Sequence, residues 1–469
     1  MSQSFLVVVK ADCPTCQLVL PVLETLADRG DVTLLTQDDP AFPAVPGVEY
    51  DGSLERSFDL GIEIVPALLA FDGGTETGRC EGWERSAWQA LVGDVTLGTA
   101  LPALRPGCAS LSVTPPHGER LRAQRLASRR ITLGVEEDVQ EALFDRGWTD
   151  GLPVVPPTPE RVARMLEGTT RDPREVLGEV PPNLVPVTVE KVAVNAVLAG
   201  CKPEYLPVVL ATVEAALLPP FCMHGLLATT YFSGPMVVVC GPIARALGMN
   251  SKGNALGQGN RANATIGRAL QLVIRNVGGG RPQGVDRATL GNPGKYTFCF
   301  AEDDDPQWQN LNEDAGLARN ANSVTLFAAD GVQGIVDQKA RTPEPLCRSF
   351  AEALKVVSHP KMVQAADAFL VISPEHARVF HDAGWSKAQV LAALRADLTR
   401  PGTELIRGAG GMEEGLPPAL AKRSFEKFRE GGLRLVRAGG EAGMFSAVIG
   451  GWGASGTIGS SPVTHEIRF

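Results

Sequence analysis

The chain has 469 residues and a formal net charge of −9, with 44% hydrophobic and 21% charged residues. This length suggests two or three domains, and the composition is typical of a globular protein with well-filled cores. An acidic balance argues against binding to a nucleic-acid backbone, which needs clustered Lys and Arg. No run approaches the roughly 20 apolar residues that span a bilayer. We therefore expect neither a nucleic-acid partner nor a membrane partner.

The first residues, MSQSFLVVVKADC, carry no positive charge before the apolar stretch, and Lys10 ends that stretch too early for a signal peptide. Nine cysteines, an odd number in a chain this long, do not suggest a disulfide framework. Only Cys13 and Cys16 are closely spaced, so a zinc site of paired cysteines is not expected. We predict a cytoplasmic protein without a metal or a cofactor.

The first 97 residues are predicted to form one α/β domain with the element order β-α-β-α-β-β-α. The predicted strands cover residues 5–10, 32–35, 62–71 and 78–83, and the predicted helices cover 17–28, 54–60 and 84–92. Residues 98–134 are then rich in Pro, Ser and Gly and carry a run of arginines, which indicates a linker. The arginine run is more typical of a solvated helical face than of an anion site.

The third segment, residues 135–469, is predicted to form a larger α/β or α+β domain. Its predicted strands cover residues 236–240, 295–300, 324–327, 368–372 and 444–449. Two stretches, VVVCGPIARALGMNSKGNAL and FLVISPEHARVFHDAGWSKAQVL, share the order strand, Pro, Ala-Arg, helix, Gly, Ser-Lys. An internal duplication is left open on this basis.

The strongest chemical signal is the Cys13-Pro14-Thr15-Cys16 sequence between a strand and a helix. The first cysteine then lies at a helix N-terminus, where backbone N–H groups and the helix dipole stabilise a thiolate. The two-residue spacer lets the second sulfur attack a mixed disulfide. The alternatives are a structural cysteine pair or half of a metal site, and no second pair exists to complete the latter.

These residues, with the Val65-Pro66 step some fifty residues later, resemble the thioredoxin superfamily. The resemblance covers about a fifth of the chain and implies a thioredoxin fold, with Cys13 as nucleophile and Cys16 as resolving thiol. It also implies a cis Pro66 beside the dithiol, which would shape the docking groove. This sequence departs from thioredoxin at Asp12, where tryptophan is usual, and at Val7, where a buried acid is usual. Asp12 is expected to raise the thiol pKa.

Cys201 is a further catalytic candidate, because it precedes a helix that begins near Pro203 and is followed by Lys202. A positive helix end and a neighbouring lysine both lower a thiol pKa. The more ordinary interpretation, a small buried residue in a tight turn, is favoured.

A glycine-rich loop before a helix predicted from about Thr265 could bind an anion, because converging backbone N–H groups and side-chain donors suit one. Its candidate substrate-binding residues are Gly257, Gly259, Asn260, Arg261 and Asn263, together with Lys295 of the GNPGKY segment. A plain turn-rich connection is the alternative. The acidic residues 302–305 could hold Mg²⁺ or Ca²⁺, but a solvated acidic turn is favoured.

Most of residues 135–469 resembles a bacterial family without an assigned reaction. The motifs that carry the resemblance are TDGLPVVPPT, AVNAVLAGCKPEYLPVVLA, RANATIGRALQLVIRNVGGG, GNPGKYTFCFAE and PEHARVFHDAGWSK. Members of that family accompany small proteins with a Cys- or selenocysteine-Gly-Ser-Cys motif. The resemblance therefore implies thiol or selenol redox work with a partner subunit.

Together these features predict a thiol–disulfide oxidoreductase module fused to a reductive enzyme domain, with electrons passing through the Cys13–Cys16 dithiol. The expected partner is a thiol or disulfide protein or a redox subunit, and a small anionic substrate and a homo-oligomer are left open. The alternative is a non-redox enzyme or an assembly subunit. In that case the glycine-rich loop binds the anion and the thioredoxin-like module only docks.

Overall fold

The computed structural model describes residues 3–453 and 459–469. The chain divides into two compact units, Met1–Leu126 and Ala127–Phe469. Each unit combines helices with strands, so the α/β character predicted from the sequence is confirmed at this level.

A five-stranded sheet with the order β3-β2-β1-β5-β6 forms the centre of the first unit. Its central strand pairs in parallel with β2 and antiparallel with β5. The strands are β1 (Gln3–Val9), β2 (Val32–Thr36), β3 (Glu49–Tyr50), β4 (Ile64–Val65), β5 (Ala67–Asp72), β6 (Thr75–Glu81), β7 (Trp83–Glu84), β8 (Leu104–Arg105) and β9 (Cys108–Ala109). The helices are α1 (Pro14–Leu18), α2 (Leu20–Ala27), α3 (Glu55–Asp59), α4 (Arg85–Val92) and α5 (His117–Gln124).

The predicted element order of residues 1–97 is confirmed, but short strands β3 and β7 are added, the third predicted strand is divided into β4 and β5, and the first helix is divided as well. The helix predicted over residues 17–28 is present as two helices, and Pro21 lies at the start of the second. Proline has no N–H group to continue the ladder of the preceding turn, which favours a break there. Val7 lies fully buried in the core, where β1 pairs with both of its neighbours.

Residues 98–126 belong to the first unit, so the boundary lies within the segment predicted as a linker over residues 98–134. Strand β8 pairs with β7, and β9 pairs with β4. Serines in this stretch are buried: Ser110 accepts a hydrogen bond from the Gln37 amide at 2.7 Å, and Ser112 donates to the Ile62 carbonyl at 3.0 Å. These two serines of the linker-like stretch are therefore packed within the first unit.

The second unit is built on a seven-stranded sheet and helices around it. Its strands are β10 (Val176–Val180), β11 (Val185–Thr188), β12 (Gly234–Cys240), β13 (Cys299–Ala301), β14 (Ser323–Val336), β15 (Ala368–Ile372), β16 (Thr399–Pro401), β17 (Ser424–Glu426), β18 (Leu433–Arg437), β19 (Phe445–Gly451) and β20 (Val463–Glu466). Its α-helices are α6 (Val139–Asp145), α7 (Pro159–Leu166), α8 (Val189–Ala199), α9 (Leu206–Leu217), α10 (Met223–Ala228), α11 (Pro242–Ala246), α12 (Arg261–Asn276), α13 (Leu311–Asp314), α14 (Pro343–Lys355), α15 (Pro374–Asp382), α16 (Lys387–Asp397) and α17 (Gly402–Leu405).

Six strands of the large sheet have the order β13-β12-β14-β19-β15-β18, which mirrors itself about its middle pair, and the seventh strand, β20, pairs with β14. Strand β12 lies between a parallel neighbour, β13, and an antiparallel one, β14. Strand β15 lies between parallel β18 and antiparallel β19 in the same way. An internal duplication predicts this arrangement, and the duplication itself stays a prediction.

The two outer strands of this sheet approach each other beyond their C-terminal ends. The Asp303 amide donates to the Arg437 carbonyl oxygen at 2.8 Å, and the Gly439 amide donates to the Ser251 carbonyl oxygen at 2.9 Å. The loops that follow β12, β13 and β18 therefore meet at one end of the sheet.

Within the described ranges, no single helix has both the length and the apolar content of a membrane span. One pair, Pro203–Leu217 with Pro219–Ala228, meets that criterion jointly but is bent by 71°.

Candidate functional site

The Cys13–Cys16 pair lies where β1 ends and α1 begins. Cys13 is the N-cap residue of α1, and its sulfur accepts a hydrogen bond from the Cys16 amide at 3.3 Å. The turn before it is held by the Asp38 carboxylate, which accepts the amides of Ala11 and Asp12 at 2.7 and 2.9 Å. The strand, turn and helix predicted around this pair are thus present, and the two thiols face each other.

The two thiols have opposite pKa shifts. A hydrogen bond from the Cys16 side chain, followed by bonds from Cys108 and from backbone amides, lowers the pKa of Cys13 from 9.0 to about 5. Burial, reinforced by the hydrogen bond to Cys13, raises the pKa of Cys16 far above its usual value. Asp12 was expected to raise the pKa of Cys13, but Asp12 is exposed and is not among the groups that shift this pKa. Cys13 is therefore the thiolate of the pair and Cys16 the thiol.

Pro66 lies beside this pair, and its peptide bond with Val65 is cis. The Val65 carbonyl oxygen is 3.6 Å from the Cys13 sulfur. The two-residue strand β4 ends at Val65, and β5 starts directly after Pro66. The proline chosen from the sequence is thus placed next to Cys13 by the strand that carries it.

A third cysteine, Cys108, joins the pair, and our sequence analysis missed it. It lies opposite Val65 in the antiparallel pairing of β4 with β9. Burial, followed by the interaction with the Cys13 side chain, raises the pKa of Cys108. The sequence holds no local signal for this contact beyond a cysteine after a Pro-Gly step.

The segment of residues 106–109 lies directly over the dithiol. The Thr15 hydroxyl donates to the Pro106 carbonyl oxygen at 2.6 Å. Gly107 is so close to β4 that a Cβ atom there would be 2.3 Å from Ile64 Cγ2 and 2.5 Å from the Val65 carbonyl oxygen. Cys13 is only 1% exposed and Cys16 is 0% exposed.

The catalytic candidate of the second unit, Cys201, lies after α8, where Gly200 adopts a left-handed conformation. Its thiol is buried and donates to the Thr265 carbonyl oxygen at 3.4 Å. Burial raises the pKa of Cys201 to about 12, although the nearby Arg261 charge acts in the opposite direction. The lowered pKa expected from the helix end is therefore outweighed by desolvation, and Cys201 packs as a protonated thiol.

The glycine-rich loop is shorter than predicted, because α12 begins at Arg261 and not near Thr265. Asn260 is its N-cap and accepts the Asn263 amide at 3.0 Å, a role that asparagine often has. The Asn263 side chain is buried and bonds the backbone N–H and C=O groups of Asn250 at 3.0 and 2.9 Å. Both asparagines thus hold the loop's own backbone, where we had expected ligand donors.

The two cations assigned to the anion site lie in different surroundings. Arg261 is exposed, and its Nε donates to the Gly200 carbonyl oxygen at 2.9 Å. Lys295 forms an ion pair with Asp286 at 2.7 Å, and both side chains are largely buried. Thr297, just after the GNPGKY segment, donates to the Ala264 carbonyl oxygen at 2.7 Å, so that segment does lie near the start of α12. Gly257 and Gly259 are exposed in the loop before it.

The acidic run 302–305 is not a solvated turn, although that was the favoured interpretation. Asp303 and Asp305 are buried and both pair with Arg437, at 2.9 and 3.2 Å. Burial raises the pKa of Glu302 to about 7. In the part of the chain that the structure describes, no group of three or more acidic, His or Cys side chains is arranged around a metal position.

Two of the motifs quoted for the larger region are joined by one ion pair. Asp150 of TDGLP binds Arg268 of RANATIGRAL through two bonds of 2.7 and 2.8 Å. The same guanidinium donates to the Pro153 carbonyl oxygen at 2.9 Å. These motif residues therefore tie the extended 150–157 segment to helix α12.

The comparisons with known proteins suggest no function, so a function has to be argued from the geometry of the site. No protein-family model matches this chain, and no curated protein is similar to it in sequence.

Proposed function

We propose that the first unit catalyses thiol–disulfide exchange with a protein partner through Cys13 and Cys16. The observation that carries the proposal is the environment of the Cys13 sulfur. It accepts a hydrogen bond from the Cys16 amide at 3.3 Å, and the Cys16 thiol stabilises its charged form. A thiolate is the nucleophile in such exchange, and these bonds favour the thiolate. The strand order, the cis Val65–Pro66 bond and the resemblance to the thioredoxin superfamily support the same assignment.

In the exchange, the Cys13 thiolate attacks one sulfur of the partner's disulfide. An S–S bond to Cys13 forms, the partner's own S–S bond breaks, and a partner thiolate leaves. Cys16 then attacks the Cys13 sulfur, which forms the Cys13–Cys16 disulfide and releases the second partner thiolate. Two electrons pass to the partner, and the proton of Cys16 goes to a departing thiolate.

The electrostatics suit this order of events. While Cys13 is ionised, its hydrogen bond and its charge add to the burial that keeps Cys16 protonated. Once Cys13 is part of a mixed disulfide, its charge is gone and that contribution is lost. Cys16 therefore becomes easier to ionise at the moment when it has to attack.

The second unit is proposed to be a reductive enzyme domain that receives electrons from the dithiol, either directly or through a partner subunit. The support for this is the fusion of the two units and the motif resemblance of residues 135–469. Its buried thiols, Cys201, Cys240 and Cys299, have raised pKa values because of burial, so they are poor nucleophiles. The reducible group is therefore expected on the substrate or partner.

The test is the reduction of a protein disulfide such as that of insulin by the full-length chain with a thiol regenerant. We expect Cys13→Ser to abolish the activity and Cys80→Ser, which changes a half-buried cysteine of the same unit, to preserve it. Full activity in Cys13→Ser would overturn the proposal.

A further inference from the structure

The segment that covers the dithiol pairs with the neighbouring strand β4 as an extended peptide would. Strand β9 runs antiparallel to β4, with Cys108 opposite Val65. Side chains of directly opposed residues in an antiparallel pair lie on the same face. The Val65 carbonyl oxygen in turn is 3.6 Å from the Cys13 sulfur. A cysteine at position 108 is thus presented to Cys13 by the chain itself.

The attachment of this segment is local and specific. Thr15, the residue between Pro14 and Cys16, holds the Pro106 carbonyl at 2.6 Å. Gly107 lies against Gly82 and β4 with no room for a side chain. Beyond Cys108, the Leu111 amide donates to the Gln37 side chain at 3.0 Å. With the segment in this position, Cys13 is 1% exposed, while Cys108 is partly exposed.

We propose that Cys108 is a third exchanging thiol of this site and competes with Cys16 for Cys13. This inference rests on the exchange function proposed above and adds a residue to it. In the oxidised protein, the Cys108 thiolate attacks the Cys13 sulfur of the Cys13–Cys16 disulfide. The Cys13–Cys108 bond forms, the Cys13–Cys16 bond breaks, and the proton of Cys108 ends on Cys16. One disulfide replaces another, so no external oxidant enters this step.

The Cys13–Cys108 form locks the 106–109 segment over the dithiol, and a partner thiol must open it before the next exchange. Residues 106–109 then act as an internal substrate strand that occupies the position of a partner. The reduced form, in which these residues are held by hydrogen bonds alone, is the one that a partner can displace.

The experiment maps disulfides in the full-length protein. Reduced protein is oxidised with glutathione disulfide, quenched in acid, alkylated and cleaved after Lys and Arg. Cleavage after Lys10 and Arg29 leaves Cys13 and Cys16 together on residues 11–29, whereas Cys108 lies on a separate peptide. A mass for the two peptides joined therefore reports a disulfide between Cys108 and either Cys13 or Cys16, and the same joined peptides in Cys16→Ser assign it to Cys13.

We expect the joined peptides in the wild type beside the internal Cys13–Cys16 disulfide. In Cys16→Ser they should become the main oxidised form, and Cys16→Ser with Cys108→Ser should give only a glutathione adduct on Cys13. Adding Cys80→Ser to Cys16→Ser should change nothing, and Cys16→Ala repeats the test with a different buried side chain. Melting curves show whether each variant is folded.

Two failures can be told apart. A folded Cys16→Ser protein with glutathione on Cys13 and a free Cys108 overturns the role of Cys108 and leaves the dithiol function intact. A wild type whose Cys13 and Cys16 both stay free after oxidation overturns the exchange function and this inference together.

Discussion

The hydroxyl of Thr15 donates a 2.6 Å hydrogen bond to the carbonyl oxygen of Pro106, which joins the residue between the two cysteines to the segment that covers them. Thr15 is buried, so this bond is shielded from water on one side. It links α1 to a part of the chain some 90 residues later and closes the site over Cys13.

Replacing this hydroxyl should loosen the covering segment. Thr15→Val keeps the shape of the side chain, and we expect it to lower the free energy of unfolding by about 1 kcal/mol and to speed alkylation of Cys13. Denaturant unfolding and labelling rates measure the two effects. The control is Thr25→Val, because the exposed Thr25 hydroxyl only bonds the Pro21 carbonyl one helical turn away; its effect should stay below about 0.5 kcal/mol. Equal effects of the two changes would contradict the assignment.

A side chain at Gly107 should lift the segment from β4. In Gly107→Ala the new methyl group would meet Ile64 and the Val65 carbonyl at 2.3 and 2.5 Å, so the backbone has to move. We expect faster alkylation of Cys13 at every pH. Gly30→Ala is the matched control, since a Cβ atom there meets nothing within 4 Å. Unchanged labelling in a folded Gly107→Ala protein would show that this segment does not shield the thiol.

The lowered pKa of Cys13 makes stability depend on pH. Its pKa falls from 9.0 to about 5 on folding, first of all because of the hydrogen bond from the Cys16 side chain. The resulting stabilisation is complete above about pH 9 and is lost as the pH falls to about 5. We therefore expect the reduced protein to gain stability relative to Cys13→Ser between these values. Thiolate absorbance in the ultraviolet should show a step near pH 5 that Cys13→Ser lacks.

The buried Asn263 amide should matter for stability. It bonds the backbone of Asn250 through both its oxygen and its nitrogen, so Asn263→Ala leaves buried partners unsatisfied. We expect a loss of about 2–3 kcal/mol from the stability of the second unit. Gln258→Ala, at an exposed position of the same loop, should cost less than about 0.5 kcal/mol. A folded Asn263→Ala protein of unchanged stability would refute this structural role.

The ion pair of Asp150 with Arg268 should stabilise the second unit more than a surface pair does. Both side chains are largely buried, at 11% and 14% exposure, and the contact is two-pronged. Arg268→Ala should therefore cost about 3 kcal/mol, because it leaves a buried carboxylate without its partner. The exposed pair of Arg395 with Glu426 is the comparison, and Arg395→Ala should cost much less stability than Arg268→Ala. A small loss in Arg268→Ala would show that water replaces the guanidinium.

Sequence patterns predicted the elements of the first unit and the dithiol because both depend on neighbours along the chain. Apolar runs, Pro and Gly mark each strand and helix locally, and Pro66 was chosen through the resemblance to the thioredoxin superfamily. The contact of Cys108 with Cys13 depends instead on two paired residues, Val65 and Cys108, that lie 43 positions apart and carry no distinctive pattern. Gly107 also allows close packing against β4, although it lies in a stretch whose composition resembles that of a linker.

In the second unit, local signals were ambiguous where one residue type serves two purposes. Asparagine is both a frequent helix cap and a good anion ligand, and Asn260 is used as the cap. Cys201 does lie beside a helix start, but sequence cannot show that it is fully desolvated. The pairing of the acidic run with Arg437 joins residues more than 130 positions apart, so local sequence patterns could not predict it either.

The closure of residues 106–109 over Cys13 relates the stability of the closed form to the rate at which Cys13 reacts. If a partner reacts only with the open form, the observed rate constant is the intrinsic one multiplied by the fraction of molecules that are open. Each 1.4 kcal/mol by which the contacts of Pro106 and Gly107 favour closure lowers the observed rate about tenfold. A partner protein that itself pairs with β4 gains new contacts as it displaces the segment, and these offset the loss of rate. A small thiol gains no such contacts, so the closed segment discriminates between partner proteins and small thiols.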